Sequence, residues 1–208
     1  MLISHKYKFI MIHIQKTAGS SLTKALQEMD DCSIDYISTS PNFINSKHAK
    51  HIHAKDLKEF ISDDIWRSYF KFAFVRNPYD RLVSWYNMCT KVIPNSATDN
   101  PFIAYVRDQI VTFDNFVKSD DALIKPTIIN QTEYLVDDKG SFLVDYVGKF
   151  EDINEEIIKI SNIIGERIKM QHLNRNIHKH YKTYYTNETK DIVEKKFSMD
   201  IRNFSYNF

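Results

Sequence analysis

The chain has 208 residues, 43% of them hydrophobic, and a formal net charge of +1. This length predicts a single domain over residues 1–208, with enough apolar side chains for a full core. The near-zero charge excludes a general attraction to nucleic acid or to membrane surfaces, so any anion site must be local.

Cysteine usage and the N-terminal residues indicate the compartment. Cys32 and Cys89 are too few for a disulfide framework, and Cys89 is expected on an apolar helix face. The first nine residues contain no long apolar run, so we expect neither a signal peptide nor a transmembrane anchor. These features favour a reduced, cytoplasmic protein.

A strand, a short polar turn and a helix are predicted within residues 9–29. The apolar run at residues 9–14 predicts a buried strand. The helix is indicated by apolar residues that recur at the spacing of one helix face, namely Leu22, Ala25, Leu26 and Met29. Ser20 or Ser21 is the expected N-cap of this helix.

The turn between this strand and helix has the chemistry of an anion site. Backbone N–H groups point outwards at a helix start, and the helix dipole adds partial positive charge there. Lys16 adds a full charge, and Gly19 lets the backbone approach a ligand closely. The turn is not a Walker A loop, because Lys16 precedes its only glycine. The alternative is an ordinary strand-to-helix turn with a solvated lysine.

A second strand-turn-helix unit is predicted at residues 71–89, after a possible short strand at 33–37 and helices at about 55–60 and from 62. The segment formed by residues 71–75 is short and apolar, as a buried parallel strand is. Arg76 follows this strand directly, and Asn77 with Pro78 predicts a helix start. One face of that helix carries apolar residues and another carries polar ones: Leu82, Trp85, Tyr86 and Cys89 on the first, and Arg81 and Ser84 on the second.

The remaining elements continue the alternation of helices and strands. They are one or two helices within 102–117, a short helix within 126–136, a strand at 145–150, a helix from Asp152 to near Gly165, a strand at 168–173 and a helix at 187–204. The alternation predicts an α/β fold of three layers, in which helices flank a central parallel sheet. Because ligands bind beyond the carboxyl ends of parallel strands, Lys16 and Arg76 are expected to converge on one ligand.

Two segments carry a recognisable pattern. IHIQKTAGSSL resembles the loop of sulfotransferases that binds the 5′-phosphosulfate, and FAFVRNPYDRLVSWY resembles their segment that binds the 3′-phosphate. The sequences of these two segments are similar to those of family 2, which contains the heparan 2-O- and chondroitin sulfotransferases and many bacterial members. HIHAKDL, QTEYLVDDKG, YVGKFEDIN and HKHYKTYYTNET are similar to the bacterial branch of that family.

The resemblance implies a P-loop-like sulfotransferase fold and a donor, 3′-phosphoadenosine 5′-phosphosulfate (PAPS), whose spent form is adenosine 3′,5′-bisphosphate. It implies transfer of the sulfuryl group to an acceptor hydroxyl or amine. Lys16 would also meet the negative charge that develops as the S–O bond breaks. The residues expected to bind the donor are Lys16, Thr17, Ala18, Gly19, Ser20 and Ser21 around the phosphosulfate, and Arg76, Ser84 and Arg175 around the 3′-phosphate.

His53 is the expected general base, because HIHAKDL matches the place where the heparan 2-O-sulfotransferase type carries its catalytic histidine. A histidine pKa near neutrality suits proton abstraction. His51 is the next candidate. Either histidine is alternatively structural or a metal ligand, but no partner set of cysteines or carboxylates is evident. We expect no metal in this reaction.

Other functions remain open at this stage. A nucleotide kinase would use ATP and magnesium, and a non-catalytic relative would bind the nucleotide without turnover. Residues 174–185 are basic and aromatic, but the neutral overall charge argues against nucleic acid as a partner. We expect a cytoplasmic bacterial enzyme with a small-molecule or glycan acceptor. Gln131 and Glu133 either contact that acceptor or cap a helix.

Overall fold

The computed structural model describes residues 1–29, 34–35, 49–92, 100–120, 128–170 and 179–208. The chain divides into two compact units. The sheet unit comprises residues 1–75 and 131–174, and the helical unit comprises residues 76–130 and 175–208. That the whole chain forms one domain stays a prediction.

The sheet unit contains a mixed sheet with the strand order β3-β1-β2-β4-β5. Its strands are β1 (Leu2–Ser4), β2 (Phe9–Ile12), β3 (Ile34–Asp35), β4 (Phe70–Val75) and β5 (Tyr146–Lys149). β2, β4 and β5 run parallel, whereas β1 is antiparallel to both β2 and β3. The prediction of a parallel sheet is therefore correct for three strands and wrong for β1 and β3.

The physical reason is a hairpin at the N-terminus. Leu2 pairs with Met11 and Ser4 with Phe9, so the polar residues between the strands form a tight reversal. Lys8 in that reversal has φ of 51°, a left-handed conformation that turns the chain back on itself. A strand of three residues is too short to show a periodic pattern in the sequence.

The α-helices of the described residues confirm most of the predicted helical segments. They are α1 (Gly19–Met29), α2 (Ala54–Phe60), α3 (Asp63–Ser68), α4 (Pro78–Asn87), α5 (Pro101–Gln109), α6 (Phe113–Lys118), α7 (Ile153–Ile164), α8 (Asn187–Lys196) and α9 (Ser198–Asn203). Asp152 and Glu155 have the D-x-x-E spacing of a capping pattern, but the Asp152 side chain makes no cap hydrogen bond, so the sequence signal for that cap is wrong. The strand predicted at 168–173 is absent from 168–170, and its other residues lie outside the described ones.

The core of the sheet unit lies between one face of the sheet and two helices. Leu22 and Leu26 of α1 and Ile157 of α7 pack against the sheet residues Phe9 and Phe72. This confirms the apolar face predicted for α1. Whether the fold has the full three-layer form stays a prediction.

The helical unit is centred on α4. Leu82 and Trp85 of α4 lie in one cluster with Cys89, which follows the end of α4, with Phe116 of α6 and with Phe197, which separates α8 from α9. The apolar face predicted for α4 is therefore confirmed. Asn77 caps α4 as predicted, since its side chain accepts a hydrogen bond from Tyr79 N at 3.1 Å.

Candidate functional site

The turn that joins β2 to α1 has an unusual backbone. Lys16 has φ of 70° and Ala18 has φ of 64°, both in the left-handed region that residues other than glycine rarely adopt. Left-handed residues in such turns create concave arrangements of backbone N–H groups that bind anions. Strain of this kind persists only where the surrounding structure fixes it, and it concentrates at functional sites.

Thr17 fixes the turn from within. Its side chain is 2% exposed, and its hydroxyl donates to the carbonyl of Ile14 at 2.9 Å. The hydroxyl proton is thus used inside the turn, where it ties Thr17 to the end of the preceding strand segment. The expected contact between Thr17 and a ligand stays a prediction.

Gly19 has a role that the sequence did not show. A Cβ atom built on Gly19 would collide with the imidazole of His13, so only glycine fits beneath that ring. His13 itself is 5% exposed. Close approach of the backbone to a ligand was the expected reason for this glycine, and the packing of His13 supplies a second reason.

The two serines lie in the first turn of α1. Because α1 begins at Gly19 and the N–H of Leu22 donates to the carbonyl of Ala18 at 3.1 Å, neither serine is the N-cap, and that prediction is wrong. Ser20 is exposed, whereas Ser21 is buried. Their N–H groups are among the first four of the helix, which have no partner within it.

His51 is tied to the residue that follows β2. Its Nδ1 lies 2.9 Å from the carbonyl oxygen of His13, and the two imidazole rings are 4.6 Å apart at 62°. A carbonyl only accepts, so Nδ1 of His51 carries the proton and Nε2 is the basic nitrogen. Burial, and then the neighbouring His51, lower the pKa of His13 well below 6.5, so His13 is neutral at neutral pH.

His53 lies at the start of α2, where its side chain makes no capping bond. Its ring is 4.5 Å from that of Tyr134, which is 2% exposed. Burial lowers the pKa of His53, while the carboxylates of Asp56 and Glu133 act in the opposite direction. The structure therefore brings together the HIHAKDL and QTEYL segments, a relation that the sequence alone did not reveal.

Arg76 begins the helical unit and forms an ion pair with Asp80. Nε of Arg76 lies 2.8 Å and Nη2 lies 2.7 Å from Oδ2 of Asp80. The side chains are 10% and 17% exposed, so this is a largely buried pair rather than a surface one. Ser84 is 3% exposed in α4, so its side chain is buried. Arg81, one turn along α4 from Asn77, donates Nη1 to the carbonyl of Ile129 at 2.8 Å.

The sequence-predicted site residues are distributed over both units. Lys16 and His53 belong to the sheet unit, Arg76 and Ser84 belong to the helical unit, and Arg175 lies outside the described residues. Their convergence on one ligand stays a prediction. Within the described part of the chain, no group of three or more His, Cys, Asp or Glu side chains is placed to hold a metal ion. The helices described are all too short or too polar to cross a membrane.

Comparison with known proteins gave one finding. A sequence model of a protein family, described as the sulfotransferase family and corresponding to family 2, matches residues 1–207 of the chain. Neither the curated proteins nor the solved structures contain a match to this chain.

Proposed function

Because this chain belongs to the sulfotransferase family, we propose that it transfers a sulfuryl group from PAPS to a hydroxyl of a carbohydrate or small-molecule acceptor. The observation that carries the proposal is the turn before α1, with Lys16 and Ala18 in left-handed conformations at the start of a helix. The bacterial branch of the family is favoured by the segments that resemble its members, namely HIHAKDL, QTEYLVDDKG, YVGKFEDIN and HKHYKTYYTNET.

The residues of the turn fit a phosphosulfate group. A helix N-terminus attracts negative charge, and the residues in front of α1 supply backbone N–H groups together with the Lys16 ammonium. The parallel register of β2 and β4 places the carboxyl ends of both strands at one edge of the sheet, where ligands of open α/β sheets bind. Arg76, which follows β4, suits the 3′-phosphate because guanidinium groups bind phosphates through several N–H donors.

The proposed roles follow from the chemistry of each side chain. When bound, PAPS supplies an activated sulfuryl group and leaves as adenosine 3′,5′-bisphosphate. Lys16 stabilises the negative charge on the leaving phosphate oxygen. His53 takes the proton of the acceptor hydroxyl as that oxygen bonds to sulfur, and its burial favours the neutral ring that this step needs. No metal enters this scheme.

Calorimetric binding tests the proposal directly. Adenosine 3′,5′-bisphosphate and, separately, ATP with magnesium are titrated into the wild-type protein and into Lys16→Ala and Arg76→Ala. We expect metal-free binding of the bisphosphate, weakened at least tenfold in each variant, because a charge-assisted bond to phosphate is worth about 1.5–3 kcal/mol.

Matched controls exist for both variants. Lys24→Ala removes an exposed lysine from α1, the helix that follows Lys16, where Lys24 lies 3.8 Å from Glu28. Arg67→Ala removes an arginine that also pairs with an aspartate four residues away, but on the surface. Both should bind like the wild type. Failure of the folded protein to bind the bisphosphate, or a preference for ATP with magnesium, would overturn the proposal.

A further inference from the structure

We propose that Asp80 is a positioning residue, which orients the Arg76 guanidinium and thereby sets the preference of this protein for nucleotides with a 3′-phosphate. The inference rests on the proposed function, because it takes Arg76 as the group that meets that phosphate. It assigns a role to the carboxylate of the RNPYD segment, which the proposed reaction itself does not use.

The geometry of the pair defines which edge of Arg76 contacts Asp80. Nε and Nη2 both contact Oδ2 of Asp80, at 2.8 and 2.7 Å. One edge of the planar guanidinium, formed by Nε and Nη2, is therefore fixed. Two short contacts to a single carboxylate oxygen restrict both the position and the rotation of this edge.

The local structure makes this pair rigid. Asp80 is the third residue of α4, where the helix dipole favours a carboxylate. Asn77, between the two partners, accepts from Tyr79 N through its side chain and donates Nδ2 to the carbonyl of Asn207 at 2.9 Å. The backbone that carries Arg76 and Asp80 is thus tied on both sides of the turn.

Asp80 has two opposite effects on phosphate binding, one through its own charge and one through the orientation of Arg76. A carboxylate beside Arg76 opposes the approach of a phosphate, so Asp80 weakens the general pull of the site on anions. A long arginine side chain, however, loses rotamer freedom when it binds. Asp80 removes that loss before the ligand arrives, which favours a phosphate at one defined place over anions elsewhere.

The experiment compares two nucleotides that differ only at the 3′ position. Calorimetry gives the dissociation constants of adenosine 3′,5′-bisphosphate and of adenosine 5′-monophosphate, and their ratio is the preference. Arg76→Ala should abolish the preference. Asp80→Ala should lower the preference about tenfold, which is the loss expected when one charge-assisted bond is misplaced. The affinity for the monophosphate should stay within about twofold of the wild-type value.

Two variants distinguish orientation from a structural role. Asp80→Asn keeps an oxygen that accepts from Nε, so it should retain most of the preference. Asp63→Ala breaks the exposed pair with Arg67, which lies 3.2 Å away, and should change neither affinity. Should Asp80→Ala fail to fold, Asp80→Glu serves instead, since its extra methylene displaces the guanidinium and should lower the preference about threefold.

The outcomes separate this inference from the proposed function. An unchanged preference in Arg76→Ala removes the 3′-phosphate site and the inference with it. A preference lost in Arg76→Ala but kept in Asp80→Ala or Asp80→Glu overturns the role of Asp80 alone. An equal loss of affinity for both nucleotides in Asp80→Ala also overturns it, because that is the signature of a structural residue.

Discussion

The imidazole of His53 has surroundings that suit proton acceptance. Its ring packs against Tyr134, and burial lowers its pKa below 6.5 while Asp56 and Glu133 limit the shift. A neutral ring accepts a proton from a hydroxyl, whereas an imidazolium cannot. Glu133, whose role the sequence left open, thus influences the candidate base.

Replacement of His53 tests its role as the base. His53→Asn should lower kcat by about 10²–10⁴, the usual contribution of a general base, and leave bisphosphate affinity unchanged. The wild-type rate should fall as pH drops below the lowered pKa and stay level between pH 7 and 8. The rate at which bisphosphate is released from PAPS, with an acceptor that supports wild-type turnover, measures kcat and its pH dependence. Calorimetry measures the bisphosphate affinity.

His51 and an exposed histidine provide the comparison. His180→Asn changes an exposed side chain of the helical unit and should leave the rate intact. Loss of turnover in His51→Asn with retention in His53→Asn would contradict the prediction. It would assign proton abstraction to Nε2 of His51, the nitrogen opposite the one that donates to His13.

Ala18 stores backbone strain that glycine would release. With φ of 64°, its Cβ is crowded by the backbone, which costs about 1–2 kcal/mol. Ala18→Gly should raise the free energy of unfolding by about 0.5–1 kcal/mol, after the larger entropy loss of glycine is subtracted. Thermal unfolding checks this as a rise in Tm.

The same substitution inside α1 is the control for Ala18. Ala25→Gly should lower Tm, because glycine costs about 1 kcal/mol in a helix interior. A lower Tm in Ala18→Gly would show that the left-handed conformation is not strained in solution.

At the scale of elements, the contact between the end of β2 and the start of α1 depends on one glycine. A methyl group at Gly19 collides with the His13 ring, which is held between this glycine and His51. Gly19→Ala should destabilise the protein by about 1–3 kcal/mol, as overpacking of a buried site does. Urea unfolding measures the loss.

A double-mutant cycle identifies the partner in that collision. His13→Ala removes the ring and makes room for a methyl group at position 19, so Gly19→Ala should cost much less in that background. Additive losses in the double variant would show that the His13 ring is not the obstacle.

The sequence predicted elements best where periodicity and capping agreed. The run before Arg76 predicted both bounds of β4 to within one residue, and the Asn77-Pro78 pair predicted the start of α4, which ends at Asn87, two residues before the predicted helical residue Cys89. At α1 the helical face was correct but the N-cap was wrong, because two adjacent serines both satisfy cap chemistry and only the left-handed backbone before Gly19 decides the start. The hairpin of β1 carried no periodic signal at all.

At the scale of the whole molecule, the sequence indicated the residue types of the candidate site but not how they are held. Lys16 and Arg76 were recognisable from their places after apolar strands. The pairing of Arg76 with Asp80 was not recognisable, because it depends on the geometry of the two side chains. The packing of His53 on Tyr134 was not recognisable either, because it joins residues about 80 positions apart in the chain. Short-range patterns contain no information on a contact between residues as far apart as His53 and Tyr134.

The buried His13 couples the stability of the whole protein to pH. Its pKa in the folded state is lowered well below 6.5, so between the two values the unfolded chain binds more protons. Stability from this group is therefore complete above about pH 6.5 and is lost as pH falls. One proton changes the free energy of unfolding by at most about 1.4 kcal/mol per pH unit.

Urea unfolding from pH 7.5 to 5 tests this coupling. In His13→Gln the decline of stability towards acid pH should be shallower than in the wild type, because glutamine has no proton to gain. His5→Gln is the control, since His5 is a partly exposed histidine of the same unit that contacts Tyr69 rather than the turn. It should keep the wild-type slope. Parallel curves for His13→Gln and the wild type would mean that His13 is not the titrating group, and that the acid sensitivity of the sheet unit originates elsewhere.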